Sequence, residues 1–225
     1  NRMLGERLSQ LTDFDGLKLA AALLICSPYV PMLFMGEEYG ETAPFLYFVS
    51  HGDPDLVEAV RNGRAAEFAS FEWTSEPPDP QSENTFQQSK LDHNLRDTGQ
   101  HAILHRFYRD LLAMRRDYSA LSNPVRESTK VHAQADHRIL CIERQDGQQA
   151  LRIFMNFDYN HLRTLHIHDT ETRRWRKIRD SKDPKWSLEG TAGQQAPDML
   201  VTGQNITLSP KAFAIYELLG ETNDS

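Results

Sequence analysis

Two architectures are predicted in succession: the C-terminal part of a (β/α)8 barrel over residues 1–122, then an antiparallel β-sandwich over residues 123–225. The fold class is therefore α/β plus all-β. Three observations carry it. Residues 13–36 read as a helix followed directly by an apolar run. Residues 99–121 form an amphipathic helix. Beyond the turn signal Ser122-Asn123-Pro124, short β-rich runs alternate with turns.

Residues 13–26, DFDGLKLAAALLIC, are expected to be helical, with Asp13 as N-cap and Phe14, Leu17, Ala21 and Leu24 on the inward face. Gly16 costs little in the first turn, and Ser27-Pro28 ends the helix. The run YVPMLFMG, 29–36, has no polar alternation. A run of that length after a helix suits a parallel strand buried on both faces, with Pro31 at its start. Residues 53–71 are predicted to form a helix capped by Asp53, with Pro54 in its first turn and Leu56, Val57 and Val60 inward. TSEPPDPQSENT, 74–85, reads as loop. In 99–121, Ile103, Phe107, Leu111 and Met114 share one face, and Arg115 and Arg116 lie near the end where the helix dipole favours cations.

Strands are expected at 138–145, 149–157, 163–169, 205–210 and 212–218, with Asp146-Gly147 at a hairpin turn and Gly190 in another turn. The mixed-charge run ETRRWRKIRD, 171–180, reads as a solvated strand or turn. About 100 residues is a common size for a sandwich, and this module is predicted to bury its own core and fold independently.

Composition narrows the function. With 39% hydrophobic and 25% charged residues, the chain is ordinary for a water-soluble protein, and no apolar run approaches the roughly 20 residues of a membrane-spanning helix. A net charge of −7 argues against nucleic acid, whose binding draws on phosphate neutralisation. Cys26 and Cys141 lie in apolar segments without metal-ligand spacing, so buried free thiols and a reducing, cytoplasmic location are expected. The start, NRMLGERLSQ, has neither a signal-peptide pattern nor an initiator Met, which suggests a piece of a longer protein.

The most informative stretch is GEEYGETAPFLYF, 36–48, where the apolar run gives way to loop. In barrels, loops at the strand ends build the site. Acids there can bind sugar hydroxyls while aromatic rings stack on the apolar faces of the sugar. Glu37 and Glu38, adjacent at a strand end, would point to opposite sides and so cannot readily flank one glycosidic bond. One is expected to bind sugar or orient a neighbour and the other to make a structural hydrogen bond. Tyr39, Phe45, Tyr47 and Phe48 read either as a stacking platform or as loop packing, and Trp73 as packing under the loop. Lys90 and Asp92 in SKLDH either bridge loops, reach a sugar or form a local ion pair. His101 and His105, four apart on a helix, have no third ligand in the pattern and read as a solvated face; neither a metal site nor a cofactor is expected.

The run LKLAAALLICSPYVPMLFMGEEYGETAPFLYF resembles the last helix–strand–loop of the α-amylase superfamily barrel. Together with FASFEW and PPDPQSENTFQQSKLDH, it is similar to the malto-oligosyltrehalose trehalohydrolase family as far as the 99–121 helix. The resemblance implies a glycosidase that hydrolyses the α-1,4 bond next to the trehalosyl end of malto-oligosyltrehalose, releasing trehalose. It implies a retaining pair of carboxylates and a third that stabilises the transition state. Asn1 and Arg2 look like the last residues of the family's seventh-strand motif, which places all three carboxylates upstream of Asn1. On that resemblance this chain holds no catalytic residue and is inactive alone. Substrate binding would fall to Asn1, Arg2, Glu37, Glu38, Tyr39, Phe45 and Tyr47. The implied partners are malto-oligosyltrehalose or a related α-glucan, the missing N-terminal part of the barrel, and a second copy of the chain covering exposed barrel surface. Two other readings stay open: another superfamily enzyme such as a glucan branching enzyme, and a non-catalytic carbohydrate-binding or interaction module.

Overall fold

A computed structural model describes residues 3–68, 77–167, 171–188 and 193–219. Helices occupy the first half: α1 (Leu8–Leu11), α2 (Phe14–Cys26), α3 (Pro54–Phe68), α4 (Glu83–Gln88), α5 (Gly99–Asp117) and α6 (Ser119–Ser122). Strands occupy the second: β1 (Thr129–Gln134), β2 (Ile139–Asp146), β3 (Gln149–Asn156), β4 (Arg163–His166), β5 (Arg174–Asp180), β6 (Met199–Val201), β7 (Asn205–Leu208) and β8 (Ala212–Leu218).

Helix α2 begins as its sequence predicts. The Asp13 carboxylate accepts the Gly16 N–H at 3.0 Å, satisfying a donor that the helix cannot. Its buried face is rotated from the expected one: Lys18, Leu19, Ala21, Ala22, Ile25 and Cys26 are buried, while Phe14, Leu17 and Leu24 are only partly so. The helix is apolar nearly all round, so the position of the sheet, not its periodicity, selects the face. Lys18 is buried because its ammonium donates to the carbonyls of Ser181 (2.7 Å) and Trp186 (3.0 Å) and pairs with Asp15.

The expected buried strand at 29–36 is not formed. Tyr29, Val30 and Met32 are 66, 79 and 84% exposed. A strand needs a neighbour to take its backbone N–H and C=O groups, and among the described residues none pairs with this segment. Helix α3 starts at the predicted place, with Asp53 accepting the Asp55 N–H at 2.9 Å. Its expected inward face covers no core, however: Leu56 is 44% exposed and no described α3 side chain is fully buried. The predicted loop before SKLDH closes into α4. Trp73 and Gly190 lie outside the described residues. Helix α5 buries Leu104, Phe107, Tyr108, Leu111 and Met114, and Tyr118 separates it from α6.

All strand pairs are antiparallel. One sheet runs β1-β2-β3-β8-β5-β6, and β4 and β7 form a second, two-stranded layer. Gly147, at φ +55°, makes the tight β2–β3 turn. The charged run at 174–180 is an interior strand, with Trp175 and Asp180 buried. Strand β1 is an exposed edge with no buried residue, and β6 has three residues. Neither carries the alternation that would reveal it.

One face of the large sheet, with Ile142, Leu151, Ile153, Met155, Phe213 and Ile215, shares a core with α2, α5 and α6. The other face, with Phe154, Trp175 and Tyr216, packs on Leu165, Ile206 and Leu208 of the small layer. The 122/123 boundary falls at the end of α6, and the first core runs across it. Arg144 of β2, fully buried, donates to the carbonyls of Cys26 (3.1 Å), Leu121 (3.4 Å) and Asn123. Cys26 and Cys141 are free and buried, and burial pushes the Cys26 thiol up to about 12. No helix among the described residues is long and apolar enough to cross a membrane.

Candidate functional site

The wall of the site is built by a reversal at 34–43. Gly36 sits at φ +84° and starts a 3-10 turn, Glu37–Tyr39. The turn is closed by Glu37 N–H to the Phe34 carbonyl (2.8 Å) and Glu41 N–H to the Gly36 carbonyl (2.8 Å). A Cβ on Gly36 would lie 2.7 Å from that of Glu41, so only glycine allows both the left-handed backbone and the close return.

That return buries Glu41. Its Oε1 accepts the N–H groups of Thr42 and Ala43, each at 2.8 Å; its Oε2 accepts the Tyr39 hydroxyl (2.9 Å) and the Asp92 N–H (2.7 Å). Burial alone would raise its pKa, but the bonds from Ala43, Asp92, Tyr39 and Thr42 outweigh burial and hold it below the usual glutamate range. Burial, then the Glu41 contact, pushes the Tyr39 phenol up to about 12.

Arg7, 7% exposed, spans the same wall: its Nη1 donates to the Met35 carbonyl (2.7 Å), its Nε to that of Ala43, and its guanidinium lies 5.2 Å from the Phe34 ring. Phe45 N–H donates to the Gly5 carbonyl at 2.8 Å, and a Cβ on Gly5 would meet the Phe45 backbone at 2.4 Å. These contacts border an open-mouthed cavity of about 510 Å³, lined by Arg7, Ser9, Phe34, Glu37, Glu41, Phe45 and Tyr47 among others.

Of the residues expected to bind substrate, Glu37, Phe45 and Tyr47 line this cavity. Glu37 is held from two sides, Oε1 accepting the Tyr108 hydroxyl (2.9 Å) and Oε2 the Phe34 N–H (3.1 Å). Glu38 is half-buried and outside the lining. Tyr39 does not offer its ring to the cavity: it is 1% exposed, its hydroxyl is committed to Glu41, and its carbonyl accepts the Nδ1–H of His101 at 2.8 Å. The two acids lie in a tight 3-10 turn rather than at a strand end. Asn1 and Arg2 lie outside the described residues.

Phe45 centres a row of edge-to-face rings, 5.1 Å from Phe34 and 6.3 Å from Phe48, with Phe86 5.1 Å beyond Phe48. The Arg64 guanidinium covers Tyr47 at 4.8 Å. In SKLDH, the Ser89 hydroxyl accepts the Leu46 N–H (3.1 Å), Lys90 lies over Phe86, and Asp92 contributes its backbone N–H to Glu41. The motif thus joins two loops. His101 is partly buried and bonded, not a solvated face. Among the described residues no cluster of three His, Cys, Asp or Glu could hold a metal.

Arg7 and Glu41 were not singled out by the sequence. Arg7 reaches the carbonyls of Met35 and Ala43, and Glu41 joins donors of its own turn to the distant Asp92 N–H, meetings that no local pattern records. Chemically, the wall presents a fixed carboxylate, a guanidinium and aromatic edges, a combination that suits a neutral polyhydroxylated ligand. Glu41, with both oxygens filled by donors, is a structural anion and not a proton carrier.

No protein-family profile matches the chain. Malto-oligosyltrehalose trehalohydrolase of Mycobacterium tuberculosis is 47% identical to it over 125 residues, which make up 55% of this chain and 22% of that protein. The enzyme of the same name from Saccharolobus solfataricus is 46% identical over 123 residues, 55% and 20% of the two chains. The chain is a homologue of the malto-oligosyltrehalose trehalohydrolases. It spans about a fifth of the length of these relatives. A solved structure assigned as an α-amylase of Salmonella typhimurium superposes on 97% of the chain, with TM-score 0.73 and 29% identity, covering 33% of that protein. Trehalulose synthase of Pseudomonas mesoacidophila superposes on 91% of the chain and 38% of its own, with TM-score 0.54 and 17% identity, a likeness that shows the fold alone. The architecture is that of the C-terminal region of α-amylase-type enzymes, the end of the barrel plus a β-sandwich.

Proposed function

We propose that this chain supplies one wall of the sugar cleft of a glycoside hydrolase that cleaves the α-1,4 bond next to the trehalosyl end of malto-oligosyltrehalose and releases trehalose. The observation that carries the reading is the cavity in which the fixed Glu37 carboxylate stands beside Phe34 and Phe45, in a homologue of enzymes bearing that name. Glu37 accepts sugar hydroxyls, Phe45 and its neighbours pack on the apolar faces of the glucosyl rings, and Arg7 holds the wall. The carboxylates that break the bond lie outside these 225 residues, on the part of the barrel that also covers the exposed 29–35 segment. In its absence, that segment favours pairing with a second copy of the chain. Buried free thiols fit a cytoplasmic setting.

Calorimetry of the 225-residue chain with maltohexaose should show binding, weakened about tenfold by Phe45→Ala, as expected for loss of roughly 1.4 kcal/mol of aromatic contact. With malto-oligosyltrehalose, no trehalose should appear. Turnover abolished by Glu37→Gln would instead make Glu37 catalytic and overturn the assignment. In the enzyme carrying this chain, trehalose release should dominate; new α-1,6 branches would favour a branching enzyme.

A further inference from the structure

We infer that one stripe of helix α5, His101, Tyr108 and Arg115, is a positioning spine that sets the course of the 25–39 segment and thereby the direction of the Glu37 carboxylate. The three residues are seven apart, so they fall on nearly one line along the helix, about 10 Å from one to the next. Each bonds the same segment. Arg115 donates to the carbonyls of Ile25, Ser27 (2.7 Å) and Tyr29 (2.8 Å). Tyr108 donates to Glu37 Oε1 at 2.9 Å, and His101 Nδ1–H to the Tyr39 carbonyl at 2.8 Å. The attachments run in order, from the C-terminal end of α5 to its start as the segment runs from 25 to 39.

The segment needs such support because it has no sheet ladder among the described residues. Its carbonyls at Ile25, Ser27, Tyr29 and Tyr39 take donors from α5 side chains instead. The apolar face of α5, with Leu104, Phe107, Leu111 and Met114, is buried in the core beside the stripe, so the spine is anchored to the rigid part of the molecule. Tyr108 is the decisive member. With Phe34 N–H on Oε2 and Tyr108 on Oε1, the Glu37 carboxylate is fixed in plane yet keeps lone pairs for a ligand. Removing one hydroxyl frees it to rotate without removing any charge.

The ligand arm of the test rests on the glucan reading above; the conformational arm does not. Hydrogen exchange of the whole 225-residue chain and its Tyr108→Phe and Arg115→Lys variants is compared by mass spectrometry, with maltohexaose affinity measured in parallel. Tyr108→Phe should speed exchange in 34–43 at least tenfold while peptides from β3 and β8 stay unchanged. Arg115→Lys, which can reach fewer carbonyls, should loosen 25–31 more than 34–43. Maltohexaose affinity should fall about tenfold in Tyr108→Phe. Unchanged exchange at 34–43 in Tyr108→Phe, or a rise shared equally by β3 and β8, overturns the spine, since the tyrosine would then be ordinary core. If the unsubstituted chain binds no maltohexaose, the glucan reading fails and the exchange pattern alone decides the spine. If the exchange changes as expected but affinity does not, the link from spine to Glu37 is wrong.

Discussion

Glu41 ties the 34–43 reversal to the SKLDH segment with one ionised group. Four donors from Tyr39, Thr42, Ala43 and Asp92 converge on it, and hydrogen bonds to a charged acceptor are each stronger than neutral ones. Glu41→Gln replaces two acceptor positions by an N–H₂ facing donors, and should cost about 3 kcal/mol of stability in urea unfolding. The pH dependence follows from the depressed pKa. A carboxylate that is more acidic folded than unfolded stabilises fully above its ordinary 4.5, and the gain is lost as pH falls through that value toward the folded one. Melting temperatures measured from pH 6 to pH 3 should therefore fall more steeply in the parent than in Glu41→Gln.

Among elements, α2 is held at both ends by side chains from far away. At its start Lys211 pairs with the Asp13 cap; at its end Arg115 and Arg144 donate to the carbonyls of Ile25 and Cys26, where the helix dipole is negative. Arg144→Met keeps the volume but leaves the carbonyls of Cys26, Leu121 and Asn123 without this donor, and should cost about 3 kcal/mol in thermal or chemical unfolding. The 34–43 reversal is the other element under constraint. Gly36→Ala, strained at φ +84° and crowded by Glu41, should destabilise by about 1–2 kcal/mol and weaken maltohexaose binding more than it lowers the melting temperature of the core. Gly-Glu-Glu-Tyr-Gly was legible as the point where the apolar run gives way to loop, yet the 3-10 turn between two glycines at positive φ was not. A 3-10 turn and a strand end share that composition and differ only in whether a neighbouring strand is present.

At the scale of the molecule, the large sheet is covered on both faces, by helices on one side and by the β4–β7 layer on the other. The sandwich module therefore borrows half of its core from residues before 123. Expressed alone, residues 123–225 would expose Ile142, Leu151, Ile153, Phe213 and Ile215. That fragment should bind a hydrophobic dye, self-associate, and melt well below the complete chain, in contrast to the independent folding its strand pattern suggests. Adding back a chain comprising residues 1–122 should suppress the dye signal.

Local chemistry alone determined the helix starts at Asp13 and Asp53, the hairpin at Gly147, most of the strands and the order of the two architectures, because caps, turns and periodicity act over a few residues. Tertiary structure alone decided which face of α2 is buried, that 29–36 forms no strand, that β5 is interior, and that Glu41 and Arg7, rather than Glu38 and Tyr39, stand in the cavity wall. These depend on contacts that are distant in sequence, as Lys18 does on Ser181 and Glu41 on Asp92, or, for 29–36, on the lack of a pairing strand among the described residues. A hydrogen bond or buried face exists only where the partner is brought to it, and no short-range pattern in the chain records that meeting.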